Sequence, residues 1–406
     1  MNTIQKGKQE QFYLASVDIL QGISVFYFIV WHTMLWWDHQ LDNRWPNVIL
    51  TTNIFMTTAM VIPPLFFFLY GFNVVNSLLR RSSSNFERRN SRTRLLKRAV
   101  IFFLVAEFCE GSAGLVTNPE YLLNYFLTWE LFHLFSLSTI FLLLVFELTW
   151  KLEEKKAYNY RKVSISVLVF FLGVIIAIFL FIHDFSSGLA IEKMHVDLTV
   201  DSILKRTVFE YGQNPVIPWL SFPIIGGIIA IFLDLPHEQK SAILKKVRLV
   251  LLSGVVPLVI GALYLGIEKY ISTAVYYPAS SSFLFISIGT IILSTMFLIL
   301  FLDLNSHGSH QTVIKIVSPL ILISKITLTI FIIHNVVYII SPETPLLKAL
   351  ISSETAAMIL GFFYSLIFIL IAFIWQKWNF KFSLEWTILK LQEAQWRWWG
   401  KNQTRT

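Results

Sequence analysis

One cysteine, Cys109, stands in the 406 residues. That excludes an intrachain disulfide and any metal site built on several thiolates. Charge is scarce as well: Asp, Glu, Lys and Arg make up 14% of the chain, where a soluble protein carries about 25%. No polar stretch is long enough to fold around a core of its own. Short alternating apolar and polar segments are missing, which excludes a β-barrel. No small-residue cleavage site follows the first apolar run, so that run reads as a retained helix and not as a removed leader.

Apolar runs of about 20 residues recur along the whole length, which defines an all-α polytopic membrane protein. Hydropathy places about ten transmembrane helices, near residues 17–37, 56–79, 96–116, 129–150, 163–183, 216–234, 249–268, 281–302, 317–340 and 355–376. The chain divides into a single transmembrane domain, 1–376, and a tail, 377–406, that mixes Trp with Lys and Arg and reads as an amphipathic helix on the membrane surface. With the N-terminus in the cytoplasm, 26 of the 33 Lys and Arg fall on the inner side and 6 in outer loops. This bias predicts both termini cytoplasmic and an even helix count. The net charge of +8 then reflects topology, and nucleic acid is not an expected partner. Membrane lipids are, and the cell membrane is the expected location.

The chain is organised around Ser16–Asp38, SVDILQGISVFYFIVWHTMLWWD. Asp18 opens the run and His32 lies near its far end, about 20 Å away along a helix. Ionisable groups inside a span are costly and mark functional sites. They can also be interfacial residues, here beside Trp31, Trp36 and Trp37. Further on, Glu107 and Glu110 share one face of the third helix. Glu130 and His133 share a face at the start of the fourth, where the carboxylate could orient the imidazole or simply pack two helices together. The ninth helix carries Lys325 toward its inner end and His334 toward its outer end. His32, His133 and His334 are thus all placed in the outer half, on three helices. Pro63 and Pro64 are expected to kink or interrupt the second helix. His307 and His310 lack a nearby acid, so no metal is expected.

The strongest charge feature is Arg80–Arg98. Arg80, Arg81, Arg88, Arg89, Arg92, Arg94, Lys97 and Arg98 face the single acid Glu87. Arginine forks bind phosphate oxygens bidentately. Coenzyme A and anionic lipid headgroups both fit such a surface. The longest outer loop, 184–215, holds His195, Asp197, Asp201, Lys205 and Arg206 and is suited to acceptor recognition.

Ser16-Val17-Asp18-Ile19-Leu20-Gln21-Gly22 followed by His32 resembles the opening of the membrane-bound acyltransferase superfamily that includes heparan-alpha-glucosaminide N-acetyltransferase. That pattern reads Leu-Asp-x-x-Arg-Gly with a His ten residues after the Arg. Here Gln21 takes the Arg position and the spacing to His32 is kept. Weaker matches occur at Phe66–Gly71, at Glu130–His133, at Pro218-Trp219 with Gly226-Gly227, and at Lys325–His334. The resemblance implies transfer of an acyl group, acetyl above all, from cytoplasmic acyl-CoA to a hydroxyl or amine of a sugar or glycan at the outer face.

In this reading His32 or His133 acts as general base or acyl relay, with Glu130, Asp38 or His334 in support. Arg80, Arg81, Arg92, Arg94, Lys97, Arg98 and Lys325 would hold the donor. The departure at Gln21 bears on activity, because an amide cannot neutralise a phosphate or carboxylate. A transporter or lipid flippase is the alternative; transporters commonly carry an internal duplication, and none is visible. A homodimer stays open.

Overall fold

The computed structural model describes residues 14–38, 50–80, 84–117, 131–154, 159–186, 216–235, 239–268, 280–304, 309–340 and 354–391. Among them every regular element is helical. They are α1 (Ala15–Asp38), α2 (Leu50–Arg80), α3 (Asn85–Thr117), α4 (Leu131–Glu154) and α5 (Tyr160–Ser186). After a short turn, Val216–Trp219, come α6 (Ser221–Leu233), α7 (Lys240–Ser253), α8 (Val255–Glu268) and α9 (Ser281–Leu298), the last prolonged by a π-turn, Ile299–Leu304. The set closes with α10 (Ser309–Ser324), α11 (Thr327–Ile340), α12 (Glu354–Gln376) and a tail helix, α13, over 384–391.

Eight helical segments among the described residues are long and apolar enough to cross a membrane, one of them joining α7 and α8. The count is nine if α10 and α11, bent by 65° at a short break, form one broken span. Ten helices were expected from the sequence. The remaining span, expected near residues 96–116, falls in α3, where the side chains of residues 110–117 lie outside the described set. Pro63 and Pro64, expected to kink or interrupt the second helix, lie within α2, which continues through them.

α1 and α2 are the central pair. α1 packs against α2, α10, α11 and α12, whereas α2 packs against α4 and, most closely, α6. Small residues allow that last crossing. A Cβ placed on Gly71 would lie 2.1 Å from the Pro223 carbonyl oxygen, and one on Gly226 would lie 2.1 Å from that of Phe68. Backbones this close leave no room for a side chain on either helix, the arrangement small residues provide where lipid gives no hydrophobic drive to association. Phe67, Phe68, Phe72, Phe132 and Phe222 fill the interior around the crossing and are fully buried. By contrast α7, α8 and α12 turn large apolar side chains outward, among them Leu252, Val256, Leu263, Phe363 and Leu370, as helices facing lipid do.

Polar groups fix the basic end of the bundle. Arg88 pairs with Glu153 at 2.8 Å and Arg92 with Glu147 at 3.3 Å, stitching α3 to α4. Arg88 also lies over the Trp150 and Tyr160 rings. Arg161 of α5 meets Asp234 at 2.6 Å. Asp234 ends α6 in a left-handed conformation, φ 50°, which an aspartate tolerates better than most residues. The N-terminus of α1 is held by Asp303 of the π-turn, which accepts hydrogen bonds from the Ala15 amide at 2.8 Å, from the Ser16 amide at 3.3 Å and from the Ser16 hydroxyl. First-turn amides have no partner within their own helix. Here another helix supplies one.

Candidate active site

The site grows from a helical spacing. Phe28 and His32 lie one turn apart on α1, and Phe331 and His334 lie about one turn apart on α11, so each pair shares a face. The two faces meet. Phe28 stacks on Phe331 with ring centroids 4.9 Å apart. Above that stack the His32 Nδ1 and His334 Nε2 atoms are 3.0 Å apart. His334 is fully buried, and His32 keeps part of its surface exposed.

The protons on this pair follow from its bonds. The His334 Nδ1 atom lies 3.2 Å from the Ile330 carbonyl oxygen. A carbonyl only accepts, so Nδ1 carries a hydrogen and donates. In neutral His334 the other nitrogen, Nε2, is then an acceptor. The His32 Nδ1–H donates to it, which leaves the lone pair of neutral His32 on its own Nε2. A backbone carbonyl is therefore relayed through one imidazole to set the tautomer of a second.

His133 belongs to a different place. Its Nε2 lies 3.1 Å from Glu107 Oε1 of α3, and the ring meets Phe103 edge-on at 5.3 Å. The neighbouring residue Phe132 points the other way along α4 and packs against Phe331 at 4.6 Å. The aromatic layer of Phe132, Phe331 and Phe28 thus intervenes between the two imidazole sites. The structure brings together two of the three histidines, and pairs the third with Glu107. Glu130, expected beside His133, lies outside the described residues, as does Arg81. Asp38 ends α1, and the side chains of Asp38 and Glu110 are likewise outside the described set.

At the basic end, Arg92 is engaged with Glu147. Arg94 and Arg98 are one turn apart on α3, and the Arg98 guanidinium lies 5.3 Å over the Tyr70 ring and 5.1 Å over that of Phe102. The Tyr70 hydroxyl is hydrogen-bonded to Thr139. Arg80 is exposed at the end of α2, Lys97 is half-buried, and Lys325 is exposed at the break between α10 and α11. No group of three or more His, Cys, Asp or Glu among the described residues is placed to hold a metal ion.

Among the described residues, the side-chain hydrogen bonds of Gln21 run to the break before α11 and not to the basic segment. Its amide Nε2 donates to the Thr327 hydroxyl at 3.1 Å and to the Ser324 carbonyl at 3.4 Å. It ties α1 to the break that precedes α11. On the other side of the break Glu385 of α13 accepts from the Leu328 amide at 2.5 Å and the Thr329 amide at 3.3 Å. Sequence reasoning missed the break, Asp303 and Glu385. Neither proline nor glycine marks Ser324-Lys325-Ile326-Thr327. The one available signal was Glu385, one of two acids, with Glu393, in a tail rich in Lys, Arg and Trp.

The family model described as "Acyltransferase domain" matches residues 14–375. The chain belongs to that family, and is a membrane acyltransferase by family and by its apolar helices. No curated relative matches it.

Proposed function

We propose that the protein takes an acyl group, acetyl in the first instance, from cytoplasmic acyl-CoA and transfers it to a hydroxyl or amine of a sugar or glycan at the outer face. The single observation that carries this reading is the His32–His334 pair: a partly exposed imidazole whose tautomer is set by a buried one. His32 Nε2 takes the proton of the acceptor hydroxyl or amine as its oxygen or nitrogen attacks the thioester carbonyl. The carbon–sulfur bond then breaks, and the imidazolium returns its proton to the departing CoA thiolate. His334 keeps the ring oriented and shares the positive charge that develops on it. Bringing the two reactants together in one geometry supplies much of the remaining rate.

In this reading Arg80, Arg94, Lys97 and Arg98 face the donor phosphates at the cytoplasmic mouth. Arg88 and Arg92 hold α3 to α4 instead, through Glu153 and Glu147. Gln21 bridges α1 to the α10–α11 break and needs no charge to do so, so the departure from the family arginine is compatible with activity.

The test is a reconstituted-vesicle assay with radiolabelled acetyl-CoA on the cytoplasmic side and glucosamine on the other, scoring acetylated sugar and released CoA. Wild type turns over and His32→Ala does not. Movement of glucosamine that depends on a proton gradient, without CoA release, assigns the chain to transport instead.

A further inference from the structure

We infer that Glu385 is a positioning residue for acyl transfer: by capping the N-terminus of α11 from the tail helix, it fixes the height of that helix and with it the His334–His32 hydrogen bond. This inference rests on the reading of His32 as the base.

The reasoning starts at the 65° break. α11 begins anew at Thr327, so its first amides cannot bond to carbonyls of the preceding helix in the ordinary way. Glu385 supplies what is missing. Its Oε1 accepts from the Leu328 and Thr329 amides, and its Oε2 accepts from the Thr329 hydroxyl at 2.6 Å. The bond is returned, because the Leu384 amide donates to the Thr329 hydroxyl oxygen at 2.8 Å. A carboxylate at a helix N-terminus also meets the positive end of the helix dipole. The tail is thus joined to α11 by four hydrogen bonds through two residues on each side.

From Thr329 to His334 is five residues, about 7.5 Å of helix. Nothing within that stretch breaks the helix. A shift of α11 at its start therefore arrives at His334 undiminished. The His32–His334 contact is 3.0 Å, and a hydrogen bond is lost beyond about 3.5 Å, so a movement of well under 1 Å suffices. The tail reaches this position through an unusual turn. Asn379, Phe380 and Phe382 take φ of 51°, 54° and 67°, left-handed conformations that phenylalanine adopts only when its surroundings impose them. The Trp375 indole closes the turn by donating to the Lys381 carbonyl at 2.6 Å. Ser383 and Ile388, either side of Glu385, are buried. The segment is built to deliver one carboxylate.

The test uses the full chain in vesicles. Glu385→Ala, Glu385→Gln, His334→Ala and the double variant Glu385→Ala/His334→Ala are compared for CoA release from acetyl-CoA. Amide hydrogen exchange is read across 327–334. Expected for Glu385→Ala is faster exchange in that segment and a kcat lower by about tenfold or more, with the KM for acetyl-CoA unchanged. Glu385→Gln, whose amide oxygen still accepts from the backbone, restores most of the rate. In the His334→Ala background Glu385→Ala costs nothing further, as two residues acting through one bond require. An unchanged kcat despite faster exchange overturns the inference, and so does a loss in the double variant equal to the two single losses combined. Unchanged exchange in Glu385→Ala shows that no cap is present and overturns it too. A wild-type chain that releases no CoA, whatever its exchange, removes the acyl-transfer reading itself and the catalytic role with it.

Discussion

Two imidazoles in this bundle have been given different surroundings. His32 meets a second imidazole, buried and held by a backbone carbonyl. His133 meets a carboxylate, Glu107, whose side chain is 27% exposed. In the first site His32 donates to His334 and His334 donates to the Ile330 carbonyl, which fixes the tautomer of both rings. In the second the His133 Nε2–H is directed at a carboxylate on α3. The comparison teaches that histidine placement alone does not mark a base. The two sites differ in what orients the ring: a second imidazole for His32, a carboxylate for His133.

The largest effect that sharpens this comparison is at His32. His32→Ala lowers kcat by about 10²–10⁴-fold with little change in acetyl-CoA affinity, measured by CoA release. His334→Ala comes next, at about 10- to 100-fold, the cost of a loosened orienting bond. Its residual activity distinguishes it from His32→Ala. Charge reversal at Arg94 and Arg98 weakens acetyl-CoA binding, measured by titration, while charge reversal at Arg92 leaves affinity unchanged and lowers thermal stability by breaking the Glu147 pair. If Arg92 and Arg98 behave alike, the division between structural and donor-facing arginines fails.

His133→Ala breaks the comparison from the other side. It leaves the Glu107 carboxylate without its imidazole and destabilises the fold by about 1–3 kcal/mol, read as a lower unfolding temperature in detergent. Its kcat falls less than that of His334→Ala. A loss as large as that of His32→Ala would make His133 the base and reverse the assignment. The smallest effect concerns Glu385. Burial raises its carboxyl above the ordinary carboxylate range, in opposition to the bonds from Thr329 and Leu328. A raised folded value means that the native state binds the proton more readily than the unfolded chain. The stability of wild type relative to Glu385→Gln is therefore greatest below the ordinary carboxylate range and declines as pH rises through the raised value. Unfolding temperatures of the two proteins across pH check the sign.

Much of the fold was legible because lipid enforces it. Long apolar runs and the bias of Lys and Arg are statements about single segments, and they place helices without knowledge of their neighbours. The site was legible only in part. His32 and His334 announced themselves as polar residues in apolar helices, yet nothing in their spacing told that these two meet and His133 does not. That outcome depends on Phe132 and Phe331 filling the space between, which is packing and not pattern. Arg92 shows the same limit. In sequence it is one of eight cations in a loop, and its partner Glu147 is 55 residues away. The break at Ser324–Thr327 was invisible for a different reason. It is stabilised from outside, by Gln21 and Glu385, so the local residues needed no breaker of their own.

The Asp303 cap has a consequence for how the molecule is made. The first span leaves the ribosome when the residue that secures its start, 288 positions downstream, has yet to be translated. Until then its leading amides can be satisfied only by water or headgroups at the bilayer surface. The opening helix is thus inserted early and locked late, and biogenesis must keep it from drifting in depth through the synthesis of most of the polypeptide.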